Sequence, residues 1–397
     1  MTEQRERFPF FRLLVLTGAI FASVTSEFLP TGLLPDIGSE LRVSESQVGL
    51  LVTVFAGVVV VTTAPLTALT RQVPRKWLVV VTLTVFAIAN VCAALAPGYG
   101  WLMAARVLGA LAHGLFWAVV GPYSSRMVPR HQLSRAVAVT GAGASLAFVL
   151  GVPTGTALGH ALGWRLAFGV LGVVVLGFVV LAIALLPPVS HLVPLTTAAV
   201  AVPLHRDRTI PVIVVVGATI LLVATGQNIF YTYIAPWSTQ IGGLASGQVP
   251  GLLFAGGLAG VIGLVLAGWL GDRHPRVTLL GMLVGILVSV LALGMLGTGS
   301  PLAVLLGMLV WGMAWGGLPA MMHARMLHGT SQRLRDTGSA WVTIAFNTSI
   351  GGGAFIGGVL LDRVGIGVLP AAEVILVAAC LIFVLATDRF RIARHPG

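Results

Sequence analysis

Apolar residues in this chain do not alternate with polar ones; they run on. Stretches of about twenty apolar residues recur from end to end, cut by short clusters of Pro, Gly and Arg. A helix of ~20 apolar residues spans the ~30 Å hydrocarbon core of a bilayer. The punctuation predicts twelve such helices, at 10–35, 46–69, 77–96, 100–125, 134–160, 165–186, 210–237, 248–271, 277–297, 301–325, 337–361 and 366–386. The ten-residue alternation that marks a membrane β-barrel is absent. The pattern therefore predicts an all-α membrane protein with twelve transmembrane helices.

Composition agrees. Hydrophobic residues make up 57% of the 397 and charged residues only 9%, against ~25% charged in an ordinary soluble chain. Mean hydropathy is +1.00. So few charges cannot cover the surface of a soluble domain. The N-terminus, "MTEQRERFPFFRLLVLTGAIF", has the charged and apolar regions of a signal peptide. Its apolar run continues too far and lacks a small-residue cleavage site, so a retained first span is expected. Cys92 and Cys380 both fall inside predicted spans, which argues against a disulfide framework.

The net charge of +11 raises the question of nucleic acid. The distribution answers it, because the cations sit in the short loops. With the N-terminus inside, nineteen of the 23 Lys and Arg residues lie in cytoplasmic segments, Arg71, Arg75, Lys76 and Arg273 among them. Only Arg42, Arg165 and Arg363 face the other side, and Arg106 falls within the fourth span. This positive-inside bias predicts both termini on the cytoplasmic side of the inner (cytoplasmic) membrane.

The longest interior break, 187–209, separates six spans from six. The expected domains are an N-terminal half, 1–186, a cytoplasmic linker, 187–209, and a C-terminal half, 210–397. The halves echo each other at an offset near 200. "ALTRQVPRKW" (68–77) answers "WLGDRHPRVT" (269–278), "SSRM" (124–127) answers "HARM" (323–326), and "TSEFLPTGLLP" (25–35) answers "TGQNIFYTYIAP" (225–236). Two pseudo-symmetric six-helix halves about an axis along the membrane normal characterise one large class of transporters.

Several motifs carry a resemblance. "GWLGDR" (268–273) is similar to the loop signature of the major facilitator superfamily, with Gly268, Asp272 and Arg273. "RVLGALAHGLFW" (106–117) resembles its fourth-span arginine motif. "LGVPTGTALG" (150–159), with Gly151, Pro153 and Gly155, resembles the fifth-span motif of proton-driven exporters. "SEFLPTGLLPDI", "LTRQVPRKWL", "AHGLFW" and "YTYIAPW" resemble the sugar-efflux (arabinose-efflux) branch of its drug:H⁺ antiporters. The resemblance covers nearly the whole chain. It implies alternating access around one solute site at the bilayer midplane between the halves. One position departs from the pattern: Arg71 stands where the first-half loop usually carries an aspartate.

Polar residues inside the spans mark candidate function, since a charge at bilayer centre costs about 2.5–3.5 kcal/mol on insertion scales. Glu27 lies nine residues before Asp36, or roughly 13 Å from the outer end at 1.5 Å per residue. A carboxyl at that depth reads as a proton carrier, or as a structural group locked to Arg106 or to backbone. Arg106, His113 and Trp117 fall on one face of the fourth span. Arg106 cannot release its proton but can pair with or tune the carboxylate; His113 can titrate or simply pack. Gln227, Asn228, Tyr231 and Tyr233 form an uncharged polar-aromatic cluster on the seventh span, suited to a hydroxyl-rich or amphipathic solute, or to interhelical hydrogen bonding. Trp311 and Trp315 repeat four residues apart on the tenth span, as packing or as a stacking surface. Trp341 and Asn347 are further candidates on the eleventh, and Glu373 reads as structural. Gly151, Gly155 and Gly159 form a stripe that admits a neighbouring backbone, and Pro153 adds a kink.

The expected function is proton-coupled efflux of a small solute, sugar or drug-like, by a monomer. A symporter importing its solute is the alternative, and a membrane-embedded enzyme or receptor a more distant one. No P-loop lysine, HExxH, GxSxG or Cys/His ligand spacing occurs, so no enzyme chemistry, metal, cofactor or nucleic-acid partner is expected. The expected partners are solute, protons and the lipid bilayer.

Overall fold

The computed structural model describes residues 8–129, 132–188, 207, 209–331 and 334–392. Of the expected linker 187–209, all but Pro187, Pro188, Asp207 and Thr209 lies outside the described residues. Twelve helices among the described residues are long and apolar enough to cross a membrane, matching the twelve predicted spans in number and order.

In chain order the helices of the first half are α1 (Phe10–Gly32), α2 (Leu34–Leu41), α3 (Glu45–Leu69), α4 (Arg75–Ala94), α5 (Tyr99–Ser125), α6 (Leu133–Leu146), α7 (Val152–Leu162) and α8 (Trp164–Leu185). Those of the second are α9 (Ile210–Tyr231), α10 (Ile234–Gln240), α11 (Val249–Gly271), α12 (Pro275–Leu296), α13 (Pro301–Gly316), α14 (Leu318–Gly329), α15 (Arg335–Arg363) and α16 (Leu369–Ile392). Sixteen helices make twelve spans because some predicted spans are broken. The expected continuous helix 10–35 stops at Leu33, with Pro35 opening α2. The expected helix 210–237 breaks at Thr232–Tyr233, and 301–325 breaks at Gly317. The fifth span passes through a π-helical turn at Ala147–Gly151, just before Pro153.

The breaks repeat between the halves. Leu33 has φ −110° and ψ 15°; Tyr233 has φ −109° and ψ 19°. Gly163 and Gly365 turn the chain at φ 93° and φ 107°, before α8 and before α16. A side chain would be strained at both. The two-fold repeat expected from sequence is thus visible in backbone dihedrals.

Close helix crossings repeat in the same register. A Cβ at Gly151 would collide with Thr25, and one at Gly155 would come within 2.7 Å of Leu29, so the stripe of the fifth span lies on α1. In the second half Gly353 and Gly357 of α15 lie against Thr225 and Ile229 of α9: a Cβ built on either would come within 2.7 and 2.6 Å of their carbonyl oxygens. Without a hydrophobic force between helices in lipid, such small-residue crossings carry the association.

The described parts of the chain pack as two compact units: Met1–Leu29 with Val58–Leu195, and Pro30–Gly57 with Thr196–Gly397. In the first, α4 packs along α5 and α8. In the second, α9 packs on α15 and α16, and α11 on α13. The segment Pro30–Gly57 joins the second unit through polar contacts. Gln240 Nε2 donates to Glu45 Oε1 at 2.7 Å, and Ser46 Oγ donates to Asp362 Oδ2 at 2.7 Å. Cys92 and Cys380 are free thiols.

Candidate functional site

The polar centre of the first unit begins with a proline. Pro30 lies inside α1 and has no N–H, so the carbonyl four residues earlier, at Ser26, loses its helical donor. Arg106 on α5 supplies one: its Nη1 donates to Ser26 O at 2.7 Å and its Nη2 to Glu27 O at 2.9 Å. A planar fork with parallel donors suits two adjacent carbonyls. The guanidinium is buried, and its charge is met by backbone dipoles.

The Glu27 carboxyl also feels this charge and lies beside His113. Its Oε2 lies 3.6 Å from His113 Nε2, both residues being buried. His113 Nδ1 is 2.8 Å from Ser23 Oγ. Ser23 and Glu27 are four apart and share a face of α1, so one imidazole bridges them. Ser26 Oγ donates to Asn90 Oδ1 at 2.7 Å, and Asn90 Nδ2 donates to Phe86 O at 2.8 Å. Trp117 is 37% exposed, with its ring 6.1 Å from that of His113.

This geometry allows three proton arrangements. When Ser23 donates to Nδ1, the imidazole carries its proton on Nε2, facing the Glu27 carboxylate. When Nδ1 carries a proton and donates to Ser23, Nε2 is bare for a protonated Glu27, or the ring is a full imidazolium. A hydroxyl both donates and accepts, so Ser23 follows the proton by rotating. Ser23, Ser26 and Asn90 were not singled out from sequence. The available signal was spacing: Ser23 stands one turn before Glu27, and Pro30 four residues after Ser26.

The second unit holds the polar-aromatic residues. Gln227 and Asn228 are buried, and Asn228 Nδ2 donates to Ala224 O at 2.8 Å. Trp311 is buried, stacked on Phe230 at 5.2 Å and edge-on to Tyr231 at 5.9 Å. Its indole Nε1 donates to Glu373 Oε1 at 3.0 Å, so Glu373 anchors the aromatic group. Trp315 is half-buried. Trp341 is 51% exposed, and Asn347 donates to Thr343 O of its own helix at 3.1 Å.

The loop-motif residues lie at span ends. Arg71 is exposed and bonds Ala68 O, while Arg75 is half-buried. Gly268 has open space where a Cβ would stand. Asp272 is exposed, and Arg273 stacks over the Trp269 ring at 4.9 Å. Pro153 is buried at the start of α7.

The comparisons agree with this architecture. A relative in Mannheimia succiniciproducens, described as a "probable sugar efflux transporter", is 28% identical over 385 residues, covering 97% of this chain and 96% of its own. A Helicobacter pylori protein with the same description is 30% identical over 362 residues, 91% of each chain. Among solved structures, a bacterial homologue of the human lysosomal transporter Spinster is similar in two states. The inward-facing unoccupied form has a TM-score of 0.71 at 15% identity, covering 97% of this chain and 96% of that one; the occupied form scores 0.72 at 15%, covering 95% and 96%. The family model of the Major Facilitator Superfamily matches residues 16–354. The chain belongs to that superfamily: it is a multi-pass membrane transporter and not an enzyme.

Proposed function

We propose that this transporter is a proton-coupled antiporter that exports a small, hydroxyl-rich neutral solute of the sugar class by alternating access. The observation that carries the reading is the Glu27–His113–Ser23 chain, with Glu27 Oε2 3.6 Å from Nε2 and Ser23 Oγ 2.8 Å from Nδ1. One proton shared by Glu27 and His113 is the coupling charge, and Arg106 holds the α1 backbone that presents it. The sugar class is supported by the descriptions of the two relatives and by the uncharged character of the candidate solute-binding residues, Trp117, Gln227, Asn228, Tyr231, Trp315, Trp341 and Asn347.

In this reading the functional halves are 1–186 and 210–397, in the inner membrane, with both termini cytoplasmic, and the working unit is a monomer. The loop and stripe residues Arg71, Arg75, Gly151, Pro153, Gly155, Gly268, Asp272 and Arg273 serve the conformational change. The test is proteoliposome transport of radiolabelled sugars under an imposed pH gradient. Wild type accumulates sugar against its gradient and moves protons when sugar is added. Glu27→Gln is expected to exchange sugar passively and to move no protons. Unchanged coupling in a folded Glu27→Gln protein overturns the assignment.

A further inference from the structure

A cavity of about 720 Å³ lies in the second unit, far in sequence from Glu27 and His113. It is an open cleft lined by the end of α11, the start of α12, and α14. Leu264, Leu279 and Met321 are among its apolar lining residues; Asp272, Arg276, Arg325 and His328 are its ionisable ones. Its size matches sites that hold ligands of several hundred daltons.

Three observations fix the kind of ligand. First, charge: the lining carries two guanidinium groups against one carboxylate, and guanidinium recognises phosphate with paired donors. Second, depth. Trp269 is 62% exposed and carries the Arg273 guanidinium over its ring at 4.9 Å. An exposed Trp beside Arg at a span end marks the headgroup level of the membrane. Third, surroundings. Val265, Trp269 and Val277 are each more than 60% exposed on the flanking turns, an apolar surface that lipid chains cover. Gly268 leaves room at the cavity wall, with nothing within 4 Å of a Cβ built there.

We propose that this cavity is a binding site for an anionic phospholipid, whose phosphodiester sits on Arg276 and Arg325 and whose acyl chain lies along Leu264, Leu279 and Met321. Hydroxyl groups of a glycerol-type headgroup then donate to Asp272, which only accepts when ionised. A choline headgroup has no such donor. The site takes its lipid from the leaflet at this end of the bundle and is separate from solute and proton.

The test is native mass spectrometry of the full-length, delipidated transporter in neutral detergent, titrated with dioleoyl phosphatidylglycerol or dioleoyl phosphatidylcholine. The first phosphatidylglycerol is expected to bind about tenfold more tightly than phosphatidylcholine, the loss of one charge-assisted contact being worth roughly that factor. Arg276→Gln with Arg325→Gln should weaken phosphatidylglycerol binding about tenfold, Asp272→Asn should abolish the preference, and Arg363→Gln should change neither. Gly268→Leu, which fills the cavity and keeps both arginines, should weaken phosphatidylglycerol binding as well. Thermal melts of each variant confirm folding; Gly268→Leu serves if the double variant does not fold. Equal binding of the two lipids by the wild type, or undiminished phosphatidylglycerol binding in both the double variant and Gly268→Leu, overturns the proposal. So does displacement of the lipid by an equal concentration of glycerol phosphate, which would assign the site to a soluble anion.

Discussion

Arg106 donates to the carbonyl of Ser26 at 2.7 Å, filling the place that the proline four residues later leaves empty. Removing the guanidinium strands the buried Ser26 carbonyl, which costs about 1–3 kcal/mol when unpaired. Arg106→Leu is therefore expected to lower thermal stability strongly. Pro30→Ala returns an N–H to Ser26 O, so the double variant should lose less than the sum of the two. A coupling of about 1 kcal/mol in a double-mutant cycle of melting data checks this. Strict additivity would mean that Arg106 acts on something other than that carbonyl.

Ser23 touches the imidazole and not the carboxylate, which makes it a positioning residue. Ser23→Ala should leave the protein folded and coupled. It should displace the pH profile of sugar-driven proton movement by about 0.7 of a unit, the equivalent of one net hydrogen bond of ~1 kcal/mol. Ser23→Thr, which keeps the hydroxyl, should restore the profile. An unmoved profile in Ser23→Ala would show that the Oγ–Nδ1 contact does not bias the proton.

Gly316 of α13 crosses α11 so closely that an added Cβ would collide with the carbonyl of Gly260. Backbone cannot step aside as a flexible side chain can, and overpacking typically costs 1–3 kcal/mol. Gly316→Ala should thus destabilise by about 2 kcal/mol in a thermal melt. Gly281 has nothing within 4 Å of a built Cβ, and Gly281→Ala should be neutral or slightly stabilising.

Much of this architecture was legible in the chain. A run of twenty apolar residues has one low-energy solution in lipid, a spanning helix, so twelve runs gave twelve spans. The repeat between halves was legible in Pro74 against Pro275, and the backbone repeats it at Leu33 and Tyr233. The broken spans were harder. Hydropathy does not change at Leu33 or at Gly317, and a π turn such as Ala147–Gly151 leaves no periodic trace in five residues. The site was half legible. Glu27, Arg106 and His113 stood out because charge and imidazole are costly in a membrane. Which of them would meet depended on the packing of α1 against α5. The missing N–H of Pro30 was the one local clue that Arg106 would be drawn to backbone.

Orientation is open to direct labelling. Gln72, in the turn between α3 and α4, is exposed. Gly98, between α4 and α5, has open space at its Cβ position. About 30 Å of helix, α4, separates the two turns. In a background lacking Cys92 and Cys380, a cysteine at Gly98 should react with an impermeant maleimide added to intact cells. A cysteine at Gln72 should react only after permeabilisation. The reverse pattern would place the arginine-rich loops outside and refute cytoplasmic termini.

His113 decides whether the coupling proton belongs to a carboxyl alone or to a pair. Gln at this position keeps a polar side chain facing Glu27 Oε2, which lies 3.6 Å from Nε2, but it cannot carry a proton at any working pH. If the imidazole only orients the carboxyl, His113→Gln keeps coupling. If the proton is shared, His113→Gln behaves like Glu27→Gln: sugar exchange continues while gradient-driven accumulation collapses. The shared proton is the expected result, because Ser23 is in place to compensate Nδ1 whichever nitrogen is protonated. Residues that act as one unit give non-additive losses. The double variant, Glu27→Gln with His113→Gln, should then be no worse than either single one. The measurement is the ratio of protons to sugar moved in proteoliposomes for all four proteins. Full coupling in His113→Gln would leave Glu27 as the lone carrier, with His113 as its support.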